Sequence, residues 1–151
     1  MDLKEPNFYY KLVGGTVPTL AHDSDTGYDL ELIKKVRVVK LIAIGEVSLY
    51  DTGVIISPPP GYYMDMVARS SMAKTGHMLA NGFGVIDPDY RGNILAAVLK
   101  YDFAAPELKL PGRYVQLIFR PVIHFTPVEV DDIDDTVRGS GGFGSTNKGN
   151  R

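Results

Sequence analysis

Between Asn81 and Gly92 two carboxylates, a phenol and a guanidinium (Asp87, Asp89, Tyr90 and Arg91) are gathered around Pro88. A carboxylate in such a place can orient and deprotonate a water molecule. It can equally accept backbone N–H groups and simply form a corner, because Pro presets one dihedral angle and Asp bonds its neighbours. Taken by itself, Asp87 reads more readily as a turn former than as a catalyst. The flanking residues set the local form. Phe83, Val85 and Ile86 read as a strand, and the apolar run from Asn93 to Lys100 reads as its return, so the stretch is expected to be a hairpin.

Two other stretches carry groups suited to anions. Arg69-Ser70-Ser71 stands where a strand passes into a short helix. There backbone N–H groups, two hydroxyls and a guanidinium could converge on a phosphate, although an ordinary helix cap with a surface arginine explains the same residues. The tail holds Gly139, Gly141 and Gly144 in the spacing of a dinucleotide fingerprint. No strand-then-helix context surrounds it so close to the C-terminus, which excludes that reading. Its glycines, Ser145, Thr146 and Arg138 still suit a polyphosphate, and composition alone also fits a solubilising tail. Phe143 has nothing local to pack on and is expected to dock on a ligand or another subunit. Asp29 could hold a hydrated divalent cation, with Asp87 and Asp89 as alternatives. His22, His77 and His124 share no ligand spacing.

The elements that must position these groups are strands. Residues 8–13, 36–44, 47–56, 62–68, 94–99, 114–119 and 122–130 are rich in β-branched and aromatic residues and are separated by Gly/Pro turns. That pattern indicates an all-β sandwich or barrel. One short helix is expected at 70–74, capped by Ser and ended by Gly76. With 151 residues and 44% hydrophobic content, the chain can build one real core. Composition changes at residue 131, where Asp131, Asp132, Asp134 and Asp135 precede the glycine-dense stretch. Residues 1–130 are therefore expected to form the β domain, and 131–151 a mobile arm of it.

Charge and composition exclude several classes. A net charge of −2 without a basic cluster gives no nucleic-acid surface. Zero cysteines exclude thiol nucleophiles, disulfides and cysteine-ligated zinc. No apolar run suits a signal peptide or a bilayer span, so a soluble intracellular protein, cytoplasmic or nuclear, is expected.

Five blocks, in order and spacing, resemble the five motifs of the trimeric dUTPase family: residues 26–30, 68–73, 81–92, 112–117 and 138–146. Thr26, Ser71, Pro111 and Asn147 depart from the usual pattern without removing a group the chemistry needs. The resemblance implies a jelly-roll-like β-clip subunit in a homotrimer whose three active sites lie between subunits. It also implies a C-terminal arm that crosses to a site formed by the other two subunits.

By the same resemblance Asp87 is the base that activates water against the α-phosphorus of dUTP, and Tyr90 lies under the deoxyribose. Asn81, Gly84, Val85, Ile86 and Leu95 line the uracil slot. Arg69, Ser70, Ser71 and Gln116 bind phosphate, while Arg138, Phe143, Gly144, Ser145 and Thr146 close over the nucleotide. Asp29 would hold Mg2+ through water, the ion itself resting mainly on the substrate phosphates. Two other readings share the fold. A dCTP deaminase needs a catalytic Glu where this chain has Asp87, and a non-catalytic regulatory member would have no need of Asp87, Tyr90 and Phe143 together.

Overall fold

A computed structural model describes residues 6–42 and 45–141. Ten strands are found among them: β1 (Tyr9–Leu12), β2 (Tyr28–Leu32), β3 (Lys34–Ile42), β4 (Gly45–Asp51) and β5 (Val54–Ser57) come first. They are followed by β6 (Tyr62–Ala68), β7 (His77–Leu79), β8 (Gly84–Ile86), β9 (Leu95–Lys100) and β10 (Gly112–Pro121). All paired strands are antiparallel. One sheet runs β2-β10-β6-β8, a second runs β3-β4-β9-β7, and β1 pairs with β5 apart from both. The all-β expectation holds, and the only helix among the described residues is a single 3-10 turn, Ser70–Lys74.

Alternation along the strands builds the core. On β10, Val115 and Leu117 are fully buried while the residues between and beyond them are partly buried or exposed, as a sheet with one face inward requires. Leu30 and Leu32 of β2 and Met64 and Met66 of β6 add to that face, and Tyr50, Leu79, Ala96 and Val98 come from the second sheet. Met72 seals the core from the 3-10 turn. Burying side chains of this size stabilises the fold by roughly 1.5–3 kcal/mol each before the cost of ordering them.

Local features depart from the sequence pattern in several places, among them β2, which was not expected, and the expected strand 47–56, which is split into β4 and β5. The stretch around Asp87 is not a hairpin: β8 pairs with β6, whereas β9 pairs with β4 and β7. Residues 87–94 therefore carry the chain from one sheet to the other. Residues 122–130 form no strand, and Ile123, Phe125 and Val128 stay exposed. The strand β7 was not expected at all. Finally, the 3-10 turn is preceded by Arg69, whose side chain makes no cap, and no serine caps it either. Gly76, at φ +72°, does follow the turn as expected, in a conformation that favours glycine.

Candidate functional site

The link from β8 to β9 shapes a slot of about 170 Å³ lined by Val85, Ile86, Asp87, Tyr90, Ile94 and Leu95. Turn chemistry gives the link its form. The Tyr90 N–H donates to the Asp87 carbonyl at 3.2 Å, and the Arg91 guanidinium folds back to donate to the carbonyls of Pro88 at 2.7 Å and Tyr90 at 2.9 Å. The Nη1 of Arg91 thus helps close its own turn. The Asp87 side chain is exposed and has no hydrogen-bond partner among the described residues, so its carboxylate is free to take a water or a ligand hydroxyl. The Tyr90 hydroxyl donates to the Asn93 carbonyl at 2.9 Å. That bond packs the ring so closely that a Cβ on Gly92 would lie 2.4 Å from the phenol oxygen.

At the head of the slot, Gly84 is buried and pairs with Met66 of β6. The Asn81 amide reaches its vicinity, 3.4 Å from where a Cβ on Gly84 would stand. Gly84 opens β8 and Asn81 stands beside it, but neither lines the slot itself. Gly82 turns the chain between them at φ +73°, its N–H bonded to the Leu79 carbonyl at 3.1 Å.

A second pocket lies on the β2-β10-β6-β8 sheet, with Thr26, Gly27, Asp29, Arg69, Ser70 and Gln116 in its wall and about 330 Å³ of space. Strand register creates it. Asp29 of β2 stands opposite Gln116 of β10, and Val115 opposite Ala68 brings Arg69 and Ser70 to the same end. The Arg69 Nε donates to Asp29 Oδ1 at 2.8 Å and its Nη1 to the Arg113 carbonyl at 3.2 Å. Two contacts therefore fix the guanidinium, and its remaining N–H groups can meet an anion bidentately. Gln116 donates to the Ala68 carbonyl at 3.5 Å, and its amide lies so near Gly27 that a Cβ there would meet Oε1 at 2.1 Å. Asp29 is buried, and its Oδ2 has no partner among the described residues.

The sequence-derived residues thus fall into two groups. Val85, Ile86, Asp87, Tyr90 and Leu95 share the slot; Asp29, Arg69, Ser70 and Gln116 share the second pocket, and no lining residue is common to both. Ser71 is exposed on the 3-10 turn without lining that pocket. The Arg138 Nε donates to the Gly141 carbonyl at 2.9 Å within a turn of the tail. Phe143, Gly144, Ser145 and Thr146 lie outside the described residues. Sequence reasoning missed Ile94 in the slot and Thr26 and Gly27 in the second pocket. The latter two stand just before Asp29 in the first motif, so proximity along the chain could have found them.

Fold and pockets together define an all-β sandwich with an acidic, tyrosine-lined slot and a separate arginine-and-amide pocket. The family model described as dUTPase matches residues 14–147, and the chain belongs to that family. The deoxyuridine 5'-triphosphate nucleotidohydrolase of Arabidopsis thaliana is 39% identical over 130 residues, covering 86% of this chain and 75% of the plant protein. The crystal structure of dUTPase from Streptococcus mutans superposes with a TM-score of 0.67 at 27% identity, over 78% of this chain and 98% of that one. A dUTPase of Staphylococcus bacteriophage 80alpha with dUPNHPP shares the fold at a TM-score of 0.72 and 22% identity, over 92% and 97% of the two chains.

Proposed function

We propose that this protein hydrolyses dUTP to dUMP and pyrophosphate, Asp87 positioning and deprotonating the water that attacks the α-phosphorus. The observation that carries the proposal is the free Asp87 carboxylate at the mouth of a slot walled by Val85, Ile86, Tyr90 and Leu95. The curated relatives' name, deoxyuridine 5'-triphosphate nucleotidohydrolase, supports the same substrate. A base within reach of a bound water, held in line with the leaving pyrophosphate, supplies what a water attack on a polyphosphate needs. In this reading Asn81, Gly84, Val85, Ile86 and Leu95 take the uracil. Hydrogen bonds to its polar edge would leave buried groups unpaired if cytosine entered, which discriminates strongly. Tyr90 lies under the sugar and leaves no space for a ribose hydroxyl.

Arg69, Ser70, Ser71 and Gln116 then bind phosphate oxygens. From the likeness to trimeric dUTPases we infer a homotrimer with its active sites between subunits, a reading compatible with two pockets on one chain that share no lining residue. Ile123, Phe125, Val128, Val130, Ile133 and Val137 support assembly: they are exposed on a strandless segment, where a neighbouring chain can cover them. Residues 131–151 serve as an arm that brings Arg138, Phe143, Gly144, Ser145 and Thr146 over a bound nucleotide and excludes water.

Magnesium fits this donor set. Asp29 presents a buried carboxylate oxygen without a donor, which a metal-bound water would supply, and no group of three acidic or histidine residues forms a protein-only site among the described residues. The ion would be carried mainly by the phosphates, with Asp29 touching it through water, and when bound it would draw off their negative charge. No helix among the described residues is long and apolar enough to cross a membrane.

The test is pyrophosphate release with dUTP, dCTP, dTTP and UTP in parallel, magnesium present, alongside sedimentation for the oligomeric state. Efficient turnover of dUTP alone by a trimer is expected. Ammonia release from dCTP would identify a deaminase instead, and tight dUTP binding without turnover would identify a regulatory protein.

A further inference from the structure

The link bearing Asp87 and Tyr90 does not rest on its own turn alone. Its far end, Asn93-Ile94, is bonded to the corner between β4 and β5. The Asn93 amide donates to both carboxylate oxygens of Asp51 at 3.2 Å. Asp51 also accepts the Gly53 N–H at 2.7 Å, and Lys34 stands 3.5 Å away. Beside it, Thr52 is fully buried, and both its N–H and its hydroxyl donate to the Ile94 carbonyl, at 3.1 and 2.9 Å. The Ile94 N–H returns to the Val54 carbonyl at 2.9 Å. The corner cannot shift easily. Gly53 sits at φ +65°, and a Cβ there would lie 2.4 Å from the Gly15 nitrogen.

Asn93 is therefore held twice: its side chain by Asp51, and its carbonyl by the Tyr90 hydroxyl at 2.9 Å. We propose that Asp51 is a positioning residue of the active site, acting through Asn93 to fix the Tyr90 ring and so to enforce selection of a deoxyribose over a ribose nucleotide. Asp51 touches neither the slot nor the second pocket. Yet it is 5% exposed, charged, and uses both oxygens on the link and its supporting corner. A buried carboxylate that merely closed a turn would need one acceptor atom for the Gly53 N–H. The second set of bonds, to a side chain whose own carbonyl holds Tyr90, ties the turn to the sugar-facing ring. Without that tether only the backbone bonds of Ile94 hold the Asn93 carbonyl, and the ring gains freedom to shift toward the sugar.

This rests on the proposed role of Tyr90, so the experiment separates the two. Asn93→Ala removes the tether and leaves the carbonyl that Tyr90 uses. Tyr90→Phe removes the other half of the chain of contacts. The kcat/KM ratio for dUTP over UTP is expected to fall on the order of tenfold in Asn93→Ala, the scale of one charge-assisted hydrogen bond. A similar fall is expected in Tyr90→Phe, with little more in the double variant, because residues acting in one chain of contacts are not additive. The exchanged pair, Asp51→Asn with Asn93→Asp, keeps a donor facing an acceptor and is expected to restore most of the ratio. Thermal unfolding of each variant shows whether the fold is retained.

An unchanged ratio in folded Asn93→Ala, full additivity, or failure of the exchanged pair to rescue would overturn the proposal. A parent protein that does not distinguish dUTP from UTP would overturn the reading of Tyr90 instead. In that event 3-fluorotyrosine at position 90 still decides on the anchor. Its fluorine resonance should be sharp in the parent and exchange-broadened in Asn93→Ala, and identical resonances would show that Asp51 does not hold the ring.

Discussion

On the β3-β4-β9-β7 sheet, Lys35 bonds Glu46 and stands 3.7 Å from Glu107, Lys100 reaches Glu107 at 2.7 Å, and Ser48 donates to Glu46 at 2.8 Å. On the β2-β10-β6-β8 sheet, buried Asp29 and Asp65 each meet one arginine, Arg69 at 2.8 Å and Arg120 at 2.5 Å. Each then keeps one oxygen without a partner among the described residues. The first network satisfies its charges within the chain. The second leaves acceptors waiting for something from outside, and it is the sheet that carries Arg69, Gln116 and the strand leading to Asp87. Charges closed on one another stabilise a fold, whereas half-paired buried carboxylates leave acceptors that a water, a ligand or a neighbouring subunit can satisfy.

The contrast can be broken most sharply at Asp87. Asp87→Asn is expected to keep the fold and nucleotide binding while turnover of dUTP drops by about 10²–10⁴; near-normal steady-state rates would remove Asp87 from the chemistry. Deleting residues 138–151 should come next, with activity down about a hundredfold and melting temperature and oligomeric state unchanged. An unfolded product would make the tail part of the fold.

Arg69→Lys is expected to weaken substrate by about tenfold, read as a higher KM, because lysine cannot contact both Asp29 and a phosphate with a planar fork. Equal KM values would mean the pair is only structural. The smallest effect belongs to the closed network. Glu107→Gln should leave kinetics intact and lower unfolding free energy by no more than about 1 kcal/mol, since Glu107 itself is largely exposed and solvent screens its half of the pair.

That network also sets a pH dependence with a definite sign. The Lys35 ammonium, then the Ser48 hydroxyl, holds Glu46 below the ordinary carboxylate value of 4.5, and Lys100 does the same for Glu107. Folded values below unfolded ones mean that the stabilisation is present above that value and disappears as pH falls through the folded ones. Lys35 is raised above 10.5, chiefly by its bond to Glu46. Its contribution is present below 10.5 and lost as pH climbs through the higher folded value. Acid unfolding followed by circular dichroism should therefore be less steep in Glu107→Gln than in the parent.

How much of this the sequence disclosed depends on whether the information was local. Strand β6 begins at Tyr62 and ends at Ala68 as its composition indicates, because Pro58-Pro59-Pro60-Gly61 and Arg69-Ser70 punctuate it on both sides. The 3-10 turn was legible from Ser70 to Lys74 for the same reason. Partner choice was not. Val85 and Leu95 belong to strands joined by a Pro turn, which suggests a hairpin, but residues 87–94 form too long a link for the tight turns that enforce pairing. Each strand finds a better partner elsewhere. Residues 122–130 alternate like a strand yet have no ladder among the described residues, since β propensity states what fits a sheet and not whether an edge is near. The site motifs were legible as types in order. Their division between two pockets was not, because it follows from sheet register. Asp51 offered no signal beyond that of a turn acceptor for the nearby Gly53 N–H, because its bonds to the link run to Asn93, about forty positions away.

The passage of residues 87–94 from one sheet to the other has a consequence for how such a sequence can drift. A hairpin carries its tip with it when the core repacks. This link is fastened to Ile86 in one sheet and to Leu95 in the other, so any slip between the layers is delivered to Asp87. Core exchanges at Met66, Ala96 or Val98 that thermal stability would tolerate are therefore expected to displace Asp87, which limits how far the interior can change volume without touching the slot.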